Sequence, residues 1–388
     1  MKKASLAMMM GGLMMIASQV TPGWGLDVSE KITFEGTFTG VYQWMDGPDI
    51  DSKNRGSGAI DLGLSFTPTE NNEFFILGSF ASGNGLKDVS FKNKEPFKLA
   101  PNADDLEDDV KNINGHEQQD NILEAWYAHT FSYKDTSLKI TIGIIDATVY
   151  IDDNRFANDE ITQFMNDVFV NTPLTTPPSY DLGAVVEFNK GPFSAKLLGM
   201  TTKGDVGEDK EAFYQYYALQ LGYTLNSKWG EGNYRIFGFI TSDEFYDWEG
   251  KDKESIYGVG VSIDQDLGFI KNPFSKNPIG FFLRAGWQDD EAQVDYNNLI
   301  SFGFNVPFYF LGKEGNEFGI GYAYLDSPDD ADISNTHAVE AYAKFELFSY
   351  EVLSSDLTVD FQYLTDNYAN DNNDKEGYIV GLRWNLSF

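Results

Sequence analysis

The closing residues YIVGLRWNLSF place Tyr378, Val380, Leu382, Trp384, Leu386 and Phe388 on one face of an extended chain, with Ile379, Gly381, Arg383, Asn385 and Ser387 on the other. One face suits lipid and the other suits water. The same alternation recurs upstream. Residues 32–44 set Ile32, Phe34, Phe38, Tyr42 and Trp44 against Thr33, Glu35, Thr37, Thr39 and Gln43, with Val41 the apolar exception in the polar set. Further segments with one apolar face fall at 58–68, 74–82, 122–131, 137–145, 180–188, 192–201, 213–224, 233–241, 255–264, 279–287, 299–306, 317–325, 337–347, 357–364 and 377–388. Together these make sixteen predicted strands.

The connections alternate in length. Long ones lie at 45–57, 81–121, 146–179, 202–212, 242–254, 288–298, 326–336 and 365–376. Short ones lie at 69–72, 132–136, 189–191, 226–232, 307–315 and 349–356, while 265–276 is a short-side connection of loop length. A tilted strand of about ten residues spans a bilayer, and only a closed barrel lets strands sit in hydrocarbon with every backbone group paired. An even strand number, short turns on one side and long loops on the other describe a transmembrane barrel. A soluble sandwich also reads as many short strands, but its outer faces would be polar. Here the polar faces carry Arg235, Arg284, Glu340, Lys344, Asp360, Gln362 and Arg383, which suits a wet interior. The expected fold is therefore all-β: an antiparallel transmembrane β-barrel of sixteen strands with long extracellular loops and short periplasmic turns. Aromatic residues near strand ends, including Tyr42, Trp44, Tyr223, Trp287, Tyr322 and Trp384, suit the headgroup level.

The first residues extend this picture. Lys2 and Lys3 precede an apolar run at 4–17 and a small-x-small triplet at Gly23, Trp24 and Gly25, the layout of a secretory signal peptide over residues 1–25. Residues 26–388 then form a single barrel domain. No later stretch holds eighteen uninterrupted apolar residues, so helical spans are not expected. The chain has no cysteine and therefore no disulfides. Its formal charge of -32 argues against nucleic acid as a partner, and the 15% aromatic content argues against disorder. Solubility, electrostatic filtering and divalent-ion binding all remain open as reasons for the acidity.

The third long connection, DATVYIDDNRFANDEITQFMNDVFVNTPLTTPP, covers residues 146–178. It is too polar to cross lipid and too long for an idle turn, and long structured loops are usually functional. Surrounded by a barrel, such a loop is expected to fold into the lumen and constrict it.

Residues 120–131 (DNILEAWYAHTF), residues 143–188 (beginning GIIDATVYIDDNRF) and the terminal YIVGLRWNLSF resemble the carbohydrate-selective porin family of OprB type. That resemblance implies a sixteen-stranded outer-membrane porin passing glucose-like sugars, standing alone without the N-terminal surface-anchoring domain of some members. The aromatic carboxy-terminal Phe388 likewise looks like the signal by which the barrel-assembly machinery takes up outer-membrane barrels. Lipid and lipopolysaccharide would surround the molecule, as a monomer or a homotrimer.

The chemistry of the matched residues agrees with sugar passage. Sugars offer hydroxyl edges and weakly apolar faces, so a selective channel needs converging polar groups with an aromatic surface or two. Glu124 and Trp126 share the inward face of one strand. In the loop, Asp152, Asp153, Asn154, Arg155, Asn158, Asp159, Glu160 and Gln163 supply donors and acceptors, and Tyr150, Phe156 and Phe164 either pack the loop or stack a sugar. For any one of these a structural role competes with direct contact. Arg155 among carboxylates suits a clamp on the loop's shape. Arg235, Arg284 and Arg383 are candidates for a basic strip lining the lumen opposite the acidic loop.

No cofactor is expected. Acidic outer-loop groups (Asp104, Asp105, Glu107, Asp108 and Asp109; Asp326, Asp329, Asp330 and Asp332; Asp371 and Asp374) offer oxygen ligands to Ca²⁺, but none matches a calcium-loop signature, and solvated loops are the plainer reading. His116, His129 and His337 make no nucleophilic or metal-binding pattern. An enzyme is therefore not expected. The expected function is passive, carbohydrate-selective diffusion through a water-filled barrel. A general or ion-selective diffusion porin of the same fold is the alternative, a transporter for hydrophobic solutes another, and an outer-membrane barrel hydrolase a remote one.

Overall fold

Period-two alternation with β-branched and aromatic residues becomes strand wherever the predicted pattern runs. The computed structural model describes residues 26–48, 50, 52–83, 85–88, 97–103, 121–174, 177–208, 210–370 and 373–388. The expected signal segment 1–25 lies outside these residues, as do Asp104, Asp105, Glu107, Asp108, Asp109, His116 and Asp371.

The strands are β1 (Leu26–Ser29), β2 (Ile32–Asp46), β3 (Lys53–Thr69), β4 (Asn72–Ser82), β5 (Ile122–Tyr133), β6 (Thr136–Ile145), β7 (Asp181–Lys190), β8 (Phe193–Asp205), β9 (Glu211–Ser227) and β10 (Gly230–Thr241). After the small ribbon β11 (Phe245–Tyr246) and β12 (Lys253–Glu254) come β13 (Tyr257–Asp266), β14 (Gly280–Gln288), β15 (Asn298–Phe310), β16 (Lys313–Asp326), β17 (Ile333–Tyr350), β18 (Leu353–Tyr368) and β19 (Lys375–Ser387). Leaving out β1, β11 and β12, each strand pairs antiparallel with the next, and β19 returns to β2 with Val380 opposite Trp44 and Arg383 opposite Val41. The result is a closed antiparallel barrel of sixteen strands. Closure leaves no strand edge in the wall unpaired.

Every predicted strand is present, but the ends differ. The connections expected at 307–315 and 349–356 shrink to turns at 311–312 and 351–352, because backbone pairing continues past the point where the apolar alternation fades. Leu311 at φ 51°, Gly312 at φ 86° and Glu351 at φ 47° supply the left-handed backbone that such tight turns need. The loop-length connection on the short side remains: Leu267 N–H donates to Ile279 O at 2.7 Å across it, and Asn272 Nδ2 donates to Pro307 O at 2.8 Å. The short strands β1, β11 and β12 carry too few residues for a periodic signal.

The two faces separate as the alternation predicts. On β9, Tyr217, Leu219, Leu221, Tyr223 and Leu225 are exposed while Tyr216, Ala218 and Gln220 are buried. On β19, Val380, Leu382 and Trp384 are exposed while Ile379, Arg383 and Asn385 are buried. An apolar outer band of this kind is what a bilayer accepts. The inner face is less uniformly wet than expected. Phe282, Ala323, Leu325, Tyr342, Leu364 and Ile379 from β14–β19 form one buried apolar cluster with Ala157, Phe164, Val168, Phe169 and Leu174 of the third long connection. Burying each such large side chain is worth about 1.5–3 kcal/mol.

Candidate functional site

The segment between β6 and β7 begins with a local turn. Asp146 caps the short 3-10 helix Ala147–Val149, accepting from Thr148 N–H at 2.9 Å and from Thr148 Oγ1 at 2.7 Å. Further on, Asn166 caps the single helical turn Asp167–Val170. Between and around these turns the segment is held by hydrogen bonds to the inner faces of successive strands.

Asp152 and Arg284 (β14) form a fully buried pair. Arg284 Nε donates to Asp152 Oδ1 at 2.8 Å, and its remaining N–H groups reach the carbonyls of Asp152, Ala157, Phe169 and Val170 and Asn158 Oδ1. Asp153 pairs with Arg235 of β10 (3.1 Å) and Lys196 of β8 (3.4 Å), and accepts from Gln220 Nε2 of β9 at 2.5 Å. Burial alone would raise the Asp153 carboxyl, but Lys196, Arg235 and Gln220 outweigh it and hold it below the ordinary aspartate range. Asn154 donates to Ser262 Oγ at 3.2 Å, and Arg155 pairs with Asp264 and Asp266 of β13.

On the other side, Glu340 of β17 accepts from the backbone N–H groups of Met165 (2.5 Å) and Asn166 (3.0 Å). Arg383 of β19 donates to the carbonyls of Glu160 and Gln163, and Asn385 Nδ2 donates to Ile161 O at 2.7 Å. Apolar side chains follow the same route. Phe164 stands 4.9 Å from Phe169, 5.5 Å from Phe282 and 5.0 Å from Tyr342, centroid to centroid. Wall glycines make room for the rings: a Cβ on Gly321 would meet Phe169 at 2.7 Å, and one on Gly280 would meet Phe156 at 2.4 Å. Residues 97–103 of the second connection join this arrangement, with Pro101 O accepting from Gln43 at 2.8 Å and Gln362 at 2.7 Å, and Ala103 N–H donating to Met165 O at 2.7 Å.

The sequence-derived residues thus divide. Asp152, Asp153, Asn154, Arg155 and Gln163 are engaged in fastening the segment. Arg235, Arg284 and Arg383 were expected to form an open basic strip. Instead each is turned onto the segment, because buried guanidinium groups need several acceptors and the segment's carboxylates and carbonyls provide them. Phe156 and Phe164 pack against the wall, and Tyr150 lies in a second buried cluster with Trp126, Val185 and Tyr216. Glu124 and Trp126 are together as expected, with Trp126 Nε1 donating to Glu124 Oε2 at 2.9 Å, the Phe75 ring tilted at 5.1 Å from the indole and Lys139 5.3 Å above it.

A cleft of about 130 Å³ separates Asn158–Asp159–Glu160–Ile161–Thr162 from β2–β5. The strand side contributes Glu35, Thr37, Asp61, Leu77 and Glu124, and the chain after β6 contributes Asp146 and Thr148. Burial raises the Asp146 carboxyl above the ordinary range, partly offset by the hydrogen bonds from Thr148 and Ser179. Asp61 and Asp146 were absent from the sequence-derived set. Asp61 lies on the polar face of its strand and was legible there, but polar faces everywhere on the barrel carry such residues. Among the described residues no three His, Asp or Glu side chains converge as a metal site. His129 bonds Asn72 and His337 bonds Tyr322, away from the cleft.

A closed barrel, apolar outside, with a polar inner face and an open cleft beside a fastened segment, is a bacterial outer-membrane porin. Residues 107–388 match the model of the carbohydrate-selective porin, OprB family, and the chain belongs to that family. A protein of Aquifex aeolicus (strain VF5) described as uncharacterized is 29% identical over 351 residues, covering 90% of this chain and 93% of its own. The high-pH structure of Pseudomonas putida OprB is similar with a TM-score of 0.67 at 14% identity, over 92% of this chain and 94% of that one. The low-pH structure of the same protein gives 0.55, also at 14% identity, over 92% and 93%.

Proposed function

We propose that this porin admits small sugars by passive diffusion and that segment 146–178 is its constriction, leaving the cleft against β2–β5 as the path. The observation that carries this reading is the uneven fastening: apart from a contact of Gln43 Nε2 on β2 with the Met165 sulfur at 3.8 Å, the segment's bonds to the wall among the described residues run to β8–β10, β13, β14 and β17–β19, while its 158–162 stretch faces β2–β5 across a cleft. Family membership supports a carbohydrate as the solute. The lining suits one, since Thr37, Thr148, Thr162 and Asn158 offer hydroxyl and amide groups, the carboxylates accept hydroxyl protons, and Leu77, Val149 and Ile161 offer apolar surface to a sugar face. Binding must stay weak for the solute to leave. The gradient supplies the driving force.

Liposome swelling tests this. Proteoliposomes are expected to admit glucose faster than a non-sugar polyol of equal size, and Glu124→Ala or Trp126→Ala to narrow that difference. Equal rates for glucose and the polyol in the wild type would reduce the protein to a general diffusion porin.

A further inference from the structure

The periplasmic end of the barrel carries a fastened loop whose rings point away from the protein. Residues 267–279 (LGFIKNPFSKNPI), between β13 and β14, are held along their length. Leu267 N–H donates to Ile279 O at 2.7 Å, Gly268 N–H to Trp229 O of the β9–β10 turn at 2.6 Å, and Tyr309 N–H of β15 to Phe274 O at 2.8 Å. Asn272 Nδ2 adds bonds to Asn277 O at 3.0 Å and Pro307 O at 2.8 Å. A loop so well tied could tuck its rings inward, yet Phe269 and Phe274 stay 64% and 62% exposed. Trp229, also exposed, meets Phe269 edge to face at 6.0 Å. The surface continues the lipid-facing band: on β9 the exposed column Leu221, Tyr223 and Leu225 runs on to Trp229 in the turn that follows. What covers the band therefore reaches these rings, and ordered, exposed aromatic groups at a barrel rim belong at headgroup depth.

Charge selects the kind of lipid. In a chain of formal charge -32, residues 267–279 hold Lys271 and Lys276 and no acidic residue, and the adjoining turn holds Lys228. None of the three makes an ion pair among the described residues, and Lys228 lies 5.6 Å over the Trp229 ring. The nearest acids of that turn and strand, Glu231 and Asp266, are already taken by Arg155. On the opposite side of the membrane the connection 288–298 (QDDEAQVDYNN) carries Asp289, Asp290, Glu291 and Asp295 with no base. Free ammonium groups beside rings at headgroup depth match a phosphate attached to acyl chains. We propose that the β13–β14 connection and the β9–β10 turn form a site for an anionic glycerophospholipid of the periplasmic leaflet. Its chains lie against Trp229, Phe269 and Phe274, and its headgroup phosphate is held by Lys228, Lys271 and Lys276. The site is independent of what the pore admits.

Trp229 reports on the site directly. The protein is reconstituted into phosphatidylcholine vesicles containing a minor fraction of either dibrominated phosphatidylglycerol or dibrominated phosphatidylcholine, and the Trp229 signal is taken as the difference between wild type and Trp229→Phe. At low salt the brominated phosphatidylglycerol is expected to quench that signal about fivefold more effectively, the enrichment that one lysine near an anionic surface supplies. The excess should vanish in 1 M KCl, where the screening length is about 3 Å. Lys228→Gln/Lys271→Gln/Lys276→Gln, all on exposed turns, should abolish it as well and leave quenching by phosphatidylcholine intact. Equal quenching of the wild type by the two lipids at low salt overturns the proposal and leaves an apolar rim without lipid preference. Quenching by neither also overturns it, since something other than lipid then covers the rings. Because the chain has no cysteine, a single Phe269→Cys identifies a second copy as that cover if it yields a disulfide-linked dimer.

Discussion

Arg284 and Asp152 meet at 2.8 Å with both side chains shut away from solvent, one from the wall and the other from the segment that crosses the interior. Because Arg284 also gathers the carbonyls of Phe169 and Val170, one guanidinium holds both arms of that segment. Removing one partner of a buried pair costs about 3–5 kcal/mol, since the other charge is left uncompensated. Arg284→Met is therefore expected to free the segment while the barrel, closed by its own ladder, still forms. Single-channel recordings should show larger and noisier conductance. Asp152→Asn should do much less, because the amide and the carbonyls still accept from Arg284. Equal effects of the two substitutions would show that the charge pair itself, rather than the carbonyl contacts of Arg284, is the latch.

The ring of Phe169 occupies space that Gly321 leaves open on β16. Gly321→Leu would put a side chain there and force the ring out, an overpacking penalty of about 1–3 kcal/mol. The expected outcome is faster hydrogen exchange at residues 164–170, with the outer face of β16 unaffected. Protection unchanged at those amides would mean that the ring finds another seat.

The Asp153 carboxyl sits below its ordinary range because Lys196, Arg235 and Gln220 favour the charged form more than burial opposes it. A carboxylate whose folded value lies below its unfolded one, about 3.9 for aspartate, contributes stability that is fully present above the unfolded value. That contribution is lost as pH falls through the folded value. Conductance should therefore hold steady from pH 8 to about pH 5 as far as this anchor is concerned, with segment-derived current noise appearing below about pH 4. Asp153→Asn should remove this acid-dependent component. A wild-type onset of noise near neutral pH would assign the sensitivity to another group.

Strand order and facing were legible because membrane strands repeat one rule sixteen times: apolar toward lipid, polar inward. The rule is local, so it could be read at Tyr217, Leu219 and Leu221 without knowing what lay opposite. The anchoring of the third connection was not local. Arg284 and Asp152 are 132 residues apart in the chain, and nothing in the neighbourhood of either says that they meet. The arginines looked like channel lining because an inward charge reads as wetted until the group that covers it is placed. Glycines such as Gly321 and Gly280 gave no signal at all. In a strand a glycine reads as a weak position, and only the ring facing it reveals a socket.

Gly143 on β6 stands opposite Trp126 with φ 150°, and a Cβ there would lie 2.2 Å from the Ala125 carbonyl oxygen and 2.6 Å from Trp126 Cα. Those are backbone atoms, so β5, the strand that carries Glu124 to the cleft, must itself shift to admit even a methyl group. Gly143→Ala is expected to lower unfolding stability by about 1–3 kcal/mol and to alter glucose influx in swelling assays. Gly238→Ala on β10 is the control, since its Cβ would find nothing nearer than the Gly258 carbonyl oxygen at 3.4 Å, an ordinary contact. It should leave both readouts near wild type. If Gly143→Ala shifts the urea midpoint but not the influx, the β5 wall bears only on stability; if both move together, the position of that strand sets the width of the path.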